Sequence, residues 1–311
     1  MRENNQGERY LQTDVQTRKS AAMVRILLEG IVDYAGLFPP ATLPLDVAVR
    51  NYSAYRSSAN AWMLGRFVVS ASRLPELAAM LPEAETNNSP CRISALVGKD
   101  FDAELENVGK FNEHASQYGH VDSIEMAPEL HTKIEAVSAG IPRGITAYFE
   151  LPLNAPLELL KTIGRNGARA KARTGGTRPE AIPPTSDLAA FIANCVSAGI
   201  AYKATAGLHH PIRSTRPLTY EPGSVAGEMH GFLNVLVASA FVMAGFPLAT
   251  INELLADTES SSFLFTDSEV QWKEKSVLTS QLRKTREQLF VSFGSCSFEE
   301  PVEDLISLGW L

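Results

Sequence analysis

Cysteine is scarce in this chain: three residues, Cys91, Cys195 and Cys296, lie far apart with no CxxC pair among them. Such spacing argues against a disulfide framework or a structural zinc site, and for a reducing compartment. No tract dense in Lys or Arg is present either. The balance of 28 basic and 35 acidic residues gives 28 − 35 = −7, so nucleic acid and anionic membrane surfaces are not expected partners. A compact basic pocket within an acidic protein is still allowed. The first twenty residues, "MRENNQGERYLQTDVQTRKS", form a polar leader without the apolar core of a secretory signal. The longest apolar run, "GFLNVLVASAFVMAGFPLA" (231–249), carries Asn234 and is broken by Pro247, which predicts a buried helix and no membrane span. A cytoplasmic location is the expectation. Absent too are GxGxxG, HxH and HExxH.

What is present is ordinary globular composition, 45% hydrophobic and 20% charged over 311 residues, enough to bury a sizeable core. Short apolar runs recur: "IVDYAGLFPP" (31–40), "AWMLGRFVVS" (61–70), "CRISALVG" (91–98), "HVDSIEM" (120–126), "ITAYFEL" (145–151), "ARAKART" (168–174) and "AYKATAG" (201–207). Helix-like segments alternate with them. In "TSDLAAFIANCVSAG" (185–199), Thr185, Ser186 and Asp187 offer N-caps. Leu188, Phe191, Ile192 and Cys195 make an apolar stripe, and Gly199 stands at a C-cap position. Units of roughly 25–30 residues are βα repeats. Seven of them, with an eighth strand near 290, predict an α/β fold of the (β/α)8 TIM-barrel type. An open doubly wound sheet is the competitor, but the turn after the first strand lacks the phosphate-binding glycines. After the leader (1–20), residues 21–311 read as a single barrel domain. Residues 212–289 are too long for one crossover and predict a helical insertion before the last strand, including a charged helix in "EVQWKEKSVLTSQLRKTREQLF".

Two strands end alike, "RAKARTGG" and "AYKATAG", each with a lysine followed by Thr and Gly. Strand alternation puts Arg169, Lys171 and Arg173 on one face, and Lys203 and Thr205 on one face with Tyr202 and Ala204 opposite. If Tyr202 and Ala204 pack on the helices, Lys203 points into the barrel. Adjacent strands lie about 4.8 Å apart, so the lysines would be neighbours. Their repulsion and desolvation would lower the pKa of at least one, giving an amine able to form a Schiff base. Glu150, ending its strand, and Asp122 are the acids that could move protons or pair with a lysine. Each has a blander reading as an ion-pair partner of Arg143 or Arg169, and a strand-end lysine is commonly a solvated surface residue. His209 and His210, being adjacent on an extended chain, point apart and make an awkward metal pair. Cys296 in "FGSCSF" shows no base beside it in sequence and reads as a small buried residue.

These motifs, in this order, resemble the deoxyribose-phosphate aldolase family of class I aldolases on (β/α)8 barrels. "VDYAGLFPPAT" resembles the family's Asp-x-Thr-Leu-Leu opening, and "VDSIEM" its Val-Asp-Val-Val strand. "KARTGG" is similar to Lys-Thr-Ser-Thr-Gly and "KATAGLHHPIR" to Lys-Ala-Ser-Gly-Gly-Ile-Arg. "YFEL" matches an Ile-Glu-Thr strand, and "FVSFGSCS" the final Phe-Gly-Ala-Ser-Ser turn. The resemblance implies Lys171 as Schiff-base nucleophile, Lys203 as the group lowering its pKa, and Asp122 as proton carrier; Glu150 stands beside Asp122 as a candidate from its own position. The resemblance also implies an anion pocket at Gly175, Gly176, Gly207, Ser295 and Ser297, and Asp33, Arg173, His209 and Arg213 are further candidates for holding the substrate. Arg173 replaces a small residue beside the nucleophile, "GLHHP" replaces a glycine, and the insertion is extra.

The expected activity is therefore an aldolase-type carbon–carbon lyase acting on a small anionic carbonyl substrate, with no cofactor, no metal, no nucleic acid and no membrane partner; a homo-oligomer is left open. Two alternatives stand beside it. One is a metal-dependent hydrolase or isomerase using His209, His230 and Asp33. The other is a non-catalytic barrel binding an anionic metabolite, or a partner chain through 212–289.

Overall fold

A computed structural model describes residues 23–311 apart from 26, 85–89 and 99; the polar leader lies outside the described residues. Eight parallel strands close into a barrel in chain order. They are β1 (Val32–Tyr34), β2 (Leu64–Ser70), β3 (Cys91–Val97), β4 (Gly119–Met126), β5 (Thr146–Leu151), β6 (Arg169–Arg173) and β7 (Tyr202–Thr205), with β13 (Phe290–Ser295) returning to β1. The helices between them are α1 (Leu45–Arg56), α2 (Leu74–Ala84), α3 (Phe101–His114), α4 (Ile134–Gly140), α5 (Leu157–Arg165) and α6 (Thr185–Ala198). The fold is a (β/α)8 barrel. The strands read as near-continuous apolar runs because both faces are covered, by the helical ring outside and by the barrel's own side chains within.

Helix α6 carries the expected apolar stripe. Leu188, Phe191, Ile192 and Cys195 are buried, and Gly199 closes the helix at φ 67. The expected side-chain N-cap is absent: Pro184 occupies the cap position with no side-chain hydrogen bond. Its fixed φ sets the entry angle, and water or the following loop must meet the free amides. Phe191 meets Tyr202 edge-on with ring centroids 5.7 Å apart, and the Tyr202 hydroxyl lies 2.8 Å from Ser239 Oγ. Tyr202 therefore packs outward on the helices, and the alternation of β7 turns Lys203 inward.

Residues 212–289 are not purely helical. They hold a hairpin of β8 (Ser214–Pro217) and β9 (Ala226–Met229), helices α7 (Phe232–Met243) and α8 (Leu248–Ala256), a three-stranded antiparallel sheet, and α9 (Thr279–Gln288). The sheet comprises β10 (Phe263–Phe265), β11 (Glu269–Trp272) and β12 (Lys275–Leu278). The first ten residues of the segment read as one charged helix are thus a hairpin, and the next ten are α9. Val270 and Trp272 are buried at a spacing of two with Val277 buried opposite Val270, and the tight turn between the strands puts Lys273 at φ 54. Trp272 donates its indole N–H to Asp257 at 2.9 Å, which Lys273 also meets at 3.1 Å. Those bonds pin the sheet to the end of α8. Helix α7 buries ten of its twelve residues, stacking Phe232 on Phe293 of β13 at 4.9 Å. It accounts for the long apolar run, and among the described residues no helix is long and apolar enough to cross a membrane.

The loops after β6 and β7 touch. A Cβ built on Gly207 would sit 2.9 Å from the Gly175 Cα, and Gly207 has φ +78. Gly207→Ala should therefore destabilise the fold by roughly 1–2 kcal/mol from the left-handed backbone alone, and by more if the Gly175 loop cannot retreat. Urea unfolding of the variant would read the loss as a lower midpoint at unchanged m-value.

Candidate active site

Neighbouring strands place the site's residues side by side: Glu150 pairs in register with Lys171, and Lys171 with Lys203. Both lysines point into the barrel, with Lys171 3% and Lys203 1% exposed. One carboxylate joins them. Glu125 of β4 meets Lys203 Nζ through Oε1 at 2.6 Å and Lys171 Nζ through Oε2 at 3.0 Å. Lys203 Nζ also meets Asp33 Oδ2 at 2.6 Å, and Lys171 Nζ meets Glu150 Oε2 at 2.9 Å. Outer bonds hold the acids. Ser94 donates to Glu125 at 2.8 Å, and Ser292 and the Arg66 amide donate to Asp33 at 2.8 Å each. Arg173 Nε reaches Glu150 Oε1 at 2.8 Å. The Tyr148 ring lies 5.5 Å from Lys203 Nζ.

Repulsion predicts a lowered pKa on at least one of the two lysines; Lys203 itself is held above its ordinary range. Burial opposes its charge, but Asp33 and Glu125 outweigh burial. Glu125 is likewise pushed up by burial and pulled well below the usual carboxylate range by Lys203 and Lys171. Glu150 is lowered as well: Lys171 and Arg173 overcome its desolvation. An ammonium flanked by two carboxylates, as Lys203 is, keeps its charge beside a second lysine.

Asp122 is not part of this group. It binds Arg66 and Arg92, with Arg92 NH2 at 3.0 Å, and these arginines overcome its burial to lower its pKa. Arg66 and Arg92 lie one alternation before Val68, which lines the cavity, and Ser94, which binds Glu125. Their cluster with Asp122 therefore sits towards the N-terminal end of the barrel interior, about 10 Å of strand below Glu125. The cause is a bulge: Ile93 pairs with Val121 but Ser94 pairs with Ser123, so Asp122 is skipped. A skipped residue resets which side chains face inward. Glu125, the acid that sequence reasoning passed over, takes the central position.

Above the lysines lies a cavity of about 630 Å³, lined by Lys171, Glu125, Glu150, Arg173 and Arg178 among others. Phe38, Val68, Leu96 and Met126 give it an apolar wall. Gly175, Gly176 and His209 of the expected binding residues line it too. The rest do not. Asp33 is fully buried behind Lys203. Gly207 packs against Gly175. Arg213 pairs with Glu228 at 2.8 Å and reaches His230 at 3.1 Å. Ser297 accepts the Glu300 amide at 3.1 Å, and Ser295 is buried with its Oγ 3.4 Å from His209 Nδ1.

The histidines proposed for a metal site are separately engaged. His209 Nδ1 lies 2.7 Å from Glu300, His210 Nδ1 2.6 Å from Asp304, and His230 Nε2 2.9 Å from the Pro183 carbonyl. Burial and Arg213 push His230 down to about 4. Among the described residues no group of three or more His, Cys, Asp or Glu is arranged to hold a metal ion.

No protein-family model and no curated protein matches the chain. Among solved structures, the chain is similar to the deoxyribose phosphate aldolase from Aeropyrum pernix, described as a tetramer. Identity is 15% and the TM-score 0.42, over 62% of this chain and 86% of that one. A FabK variant from Thermotoga maritima is similar at 13% identity and a TM-score of 0.36, over 61% of this chain and 58% of that one. The barrel assignment itself stands on the closed eight-strand register.

Proposed function

We propose that the protein is a Schiff-base-forming lyase of aldolase type, with Lys171 as the nucleophile. The observation that carries this reading is an asymmetry between the two lysines. Lys171 lines the cavity, whereas Lys203 does not and is clamped between Asp33 and Glu125 at 2.6 Å each. Lys171 is the amine a substrate can reach. Its proton passes to a neighbouring carboxylate, its nitrogen adds to the substrate carbonyl, and loss of water leaves the protonated imine. Glu150 touches Lys171 and faces the cavity; it carries the protons at the substrate's hydroxyl and α-carbon. Lys203 stays charged and fixes Glu125 as an anion, so it positions Lys171 from behind. Arg173 and Arg178, beside the Gly175 and Gly176 backbone, suit an anionic group on the substrate.

The test is reductive trapping. Wild-type protein incubated with small aldehydes and ketones, then borohydride, should gain one covalent adduct by intact mass, and Lys171→Met should gain none. A panel leaving no adduct on the wild type would overturn the reading.

A further inference from the structure

The structure assigns a second nucleophilic centre to the barrel mouth: Cys296 backed by His209 and Glu300, a thiol site for small conjugated carbonyl compounds. Lys171 plays no part in it, so it stands apart from the aldolase reading.

Sequence reasoning found no base for Cys296 because the base lies 87 positions away. Folding brings them together: Cys296 follows β13, His209 follows β7, and β7 and β13 are paired neighbours. His209 Nε2 stands 4.0 Å from Cys296 Sγ, while its Nδ1 lies 2.7 Å from Glu300 Oε2. The carboxylate fixes the ring and leaves the other nitrogen towards sulfur, which is the arrangement an activated thiol needs. Burial opposes a charge on His209, but Cys296 and Glu300 raise it to about 9. Glu300 stands in the first turn of α10 (Glu299–Ser307), whose amide end is the end nearest Cys296. A helix N-terminus and an imidazolium both favour thiolate.

Two further observations separate this cysteine from a packing residue. Cys296 and His209 both line the cavity that Lys171 lines, so the sulfur faces space a small molecule can enter. The turn between β8 and β9 also sends Tyr220 across, its hydroxyl 3.5 Å from Sγ. Cys195 is the internal contrast: it lies on the buried face of α6, and burial alone pushes its thiol far up.

In the reaction, the proton rests on His209 while the sulfur lone pair forms a C–S bond to the β-carbon. The displaced π electrons pass to the carbonyl oxygen as an enolate, and His209 returns a proton to the α-carbon. The product is a saturated thioether, with no oxidant or reductant required. A thiolate is the soft nucleophile that suits this carbon, and the apolar wall of the cavity suits the uncharged probe.

The probe is methyl vinyl ketone, added to the full chain at pH 6.5 and read by peptide mass. Cys296 should be alkylated at least about tenfold faster than free cysteine, a modest gain for a thiol with a positioned base. Cys91 and Cys195 should stay unmodified. His209→Gln should remove the advantage, and Lys171→Met should leave it intact even if no Schiff base ever forms. Labelling no faster than free cysteine, or a folded His209→Gln that reacts like wild type, would each overturn the assignment. Should His209→Gln fail to fold, the wild-type labelling rate decides alone.

Discussion

Lys203→Met should cost the folded protein roughly 3–5 kcal/mol near pH 8, the penalty for removing one partner from a buried ion pair. The variant strands two buried carboxylates, because Asp33 and Glu125 each meet Lys203 Nζ at 2.6 Å. The size of the loss should depend on pH, and the sign can be worked out. In the wild type, Glu125 has a folded pKa below its unfolded value. Its contribution is present above the unfolded pKa and is lost as pH falls through the folded one. Without Lys203 only Lys171 still opposes burial at Glu125, so the folded pKa rises, and once it passes the unfolded value the contribution is lost instead as pH rises. Urea unfolding should show the gap between wild type and variant widening from pH 5 to pH 8. A constant gap would mean that Lys203 contributes packing alone.

Glu150→Gln should separate two steps. The variant keeps Lys171 and its Glu125 contact at 3.0 Å, so borohydride trapping should persist. Proton transfer at the α-carbon should fall by about 10²–10⁴-fold, the range for loss of a positioned general base. Exchange of the α-protons of acetaldehyde or acetone with deuterated water, followed by NMR, reads that step directly. Trapping and exchange falling together would instead make Glu150 a holder of Lys171 with no proton of its own to move. Arg173, tied to Glu150 at 2.8 Å, would then be part of the same brace.

Much of the barrel can be read from the chain because each βα unit repeats one physical pattern, an apolar run, a turn and an amphipathic helix. The lysine pair is legible for the same reason. Alternation about Tyr202 and Ala204 turns Lys203 inward, and the matching phase of β6 turns Lys171 beside it. Glu125 was not legible. Its inward position depends on the bulge at Asp122, and nothing in "HVDSIEM" announces a skipped residue, so the family resemblance drew attention to an acid that pairs with Arg66 and Arg92. The charge that Lys203 keeps was not legible for a related reason. Two neighbouring lysines suggest repulsion only when the anion between them is unseen. Residues 269–278 read as helix because their charges hide the alternation of Val270 and Trp272 and the cross-strand partner Val277. Cys296 and His209 meet only through the closure of β7 on β13, a contact no local pattern encodes.

Peptide mapping of the borohydride-fixed adduct bears most directly on the whole account, since the two lysines lie side by side and differ in surroundings. Lys171 opens on the cavity with Glu125 and Glu150 beside it, and Lys203 sits behind it, locked to Asp33 and Glu125. The substrate carbon should be found on the peptide containing Lys171 and absent from the one containing Lys203. An adduct on Lys203 would contradict the account.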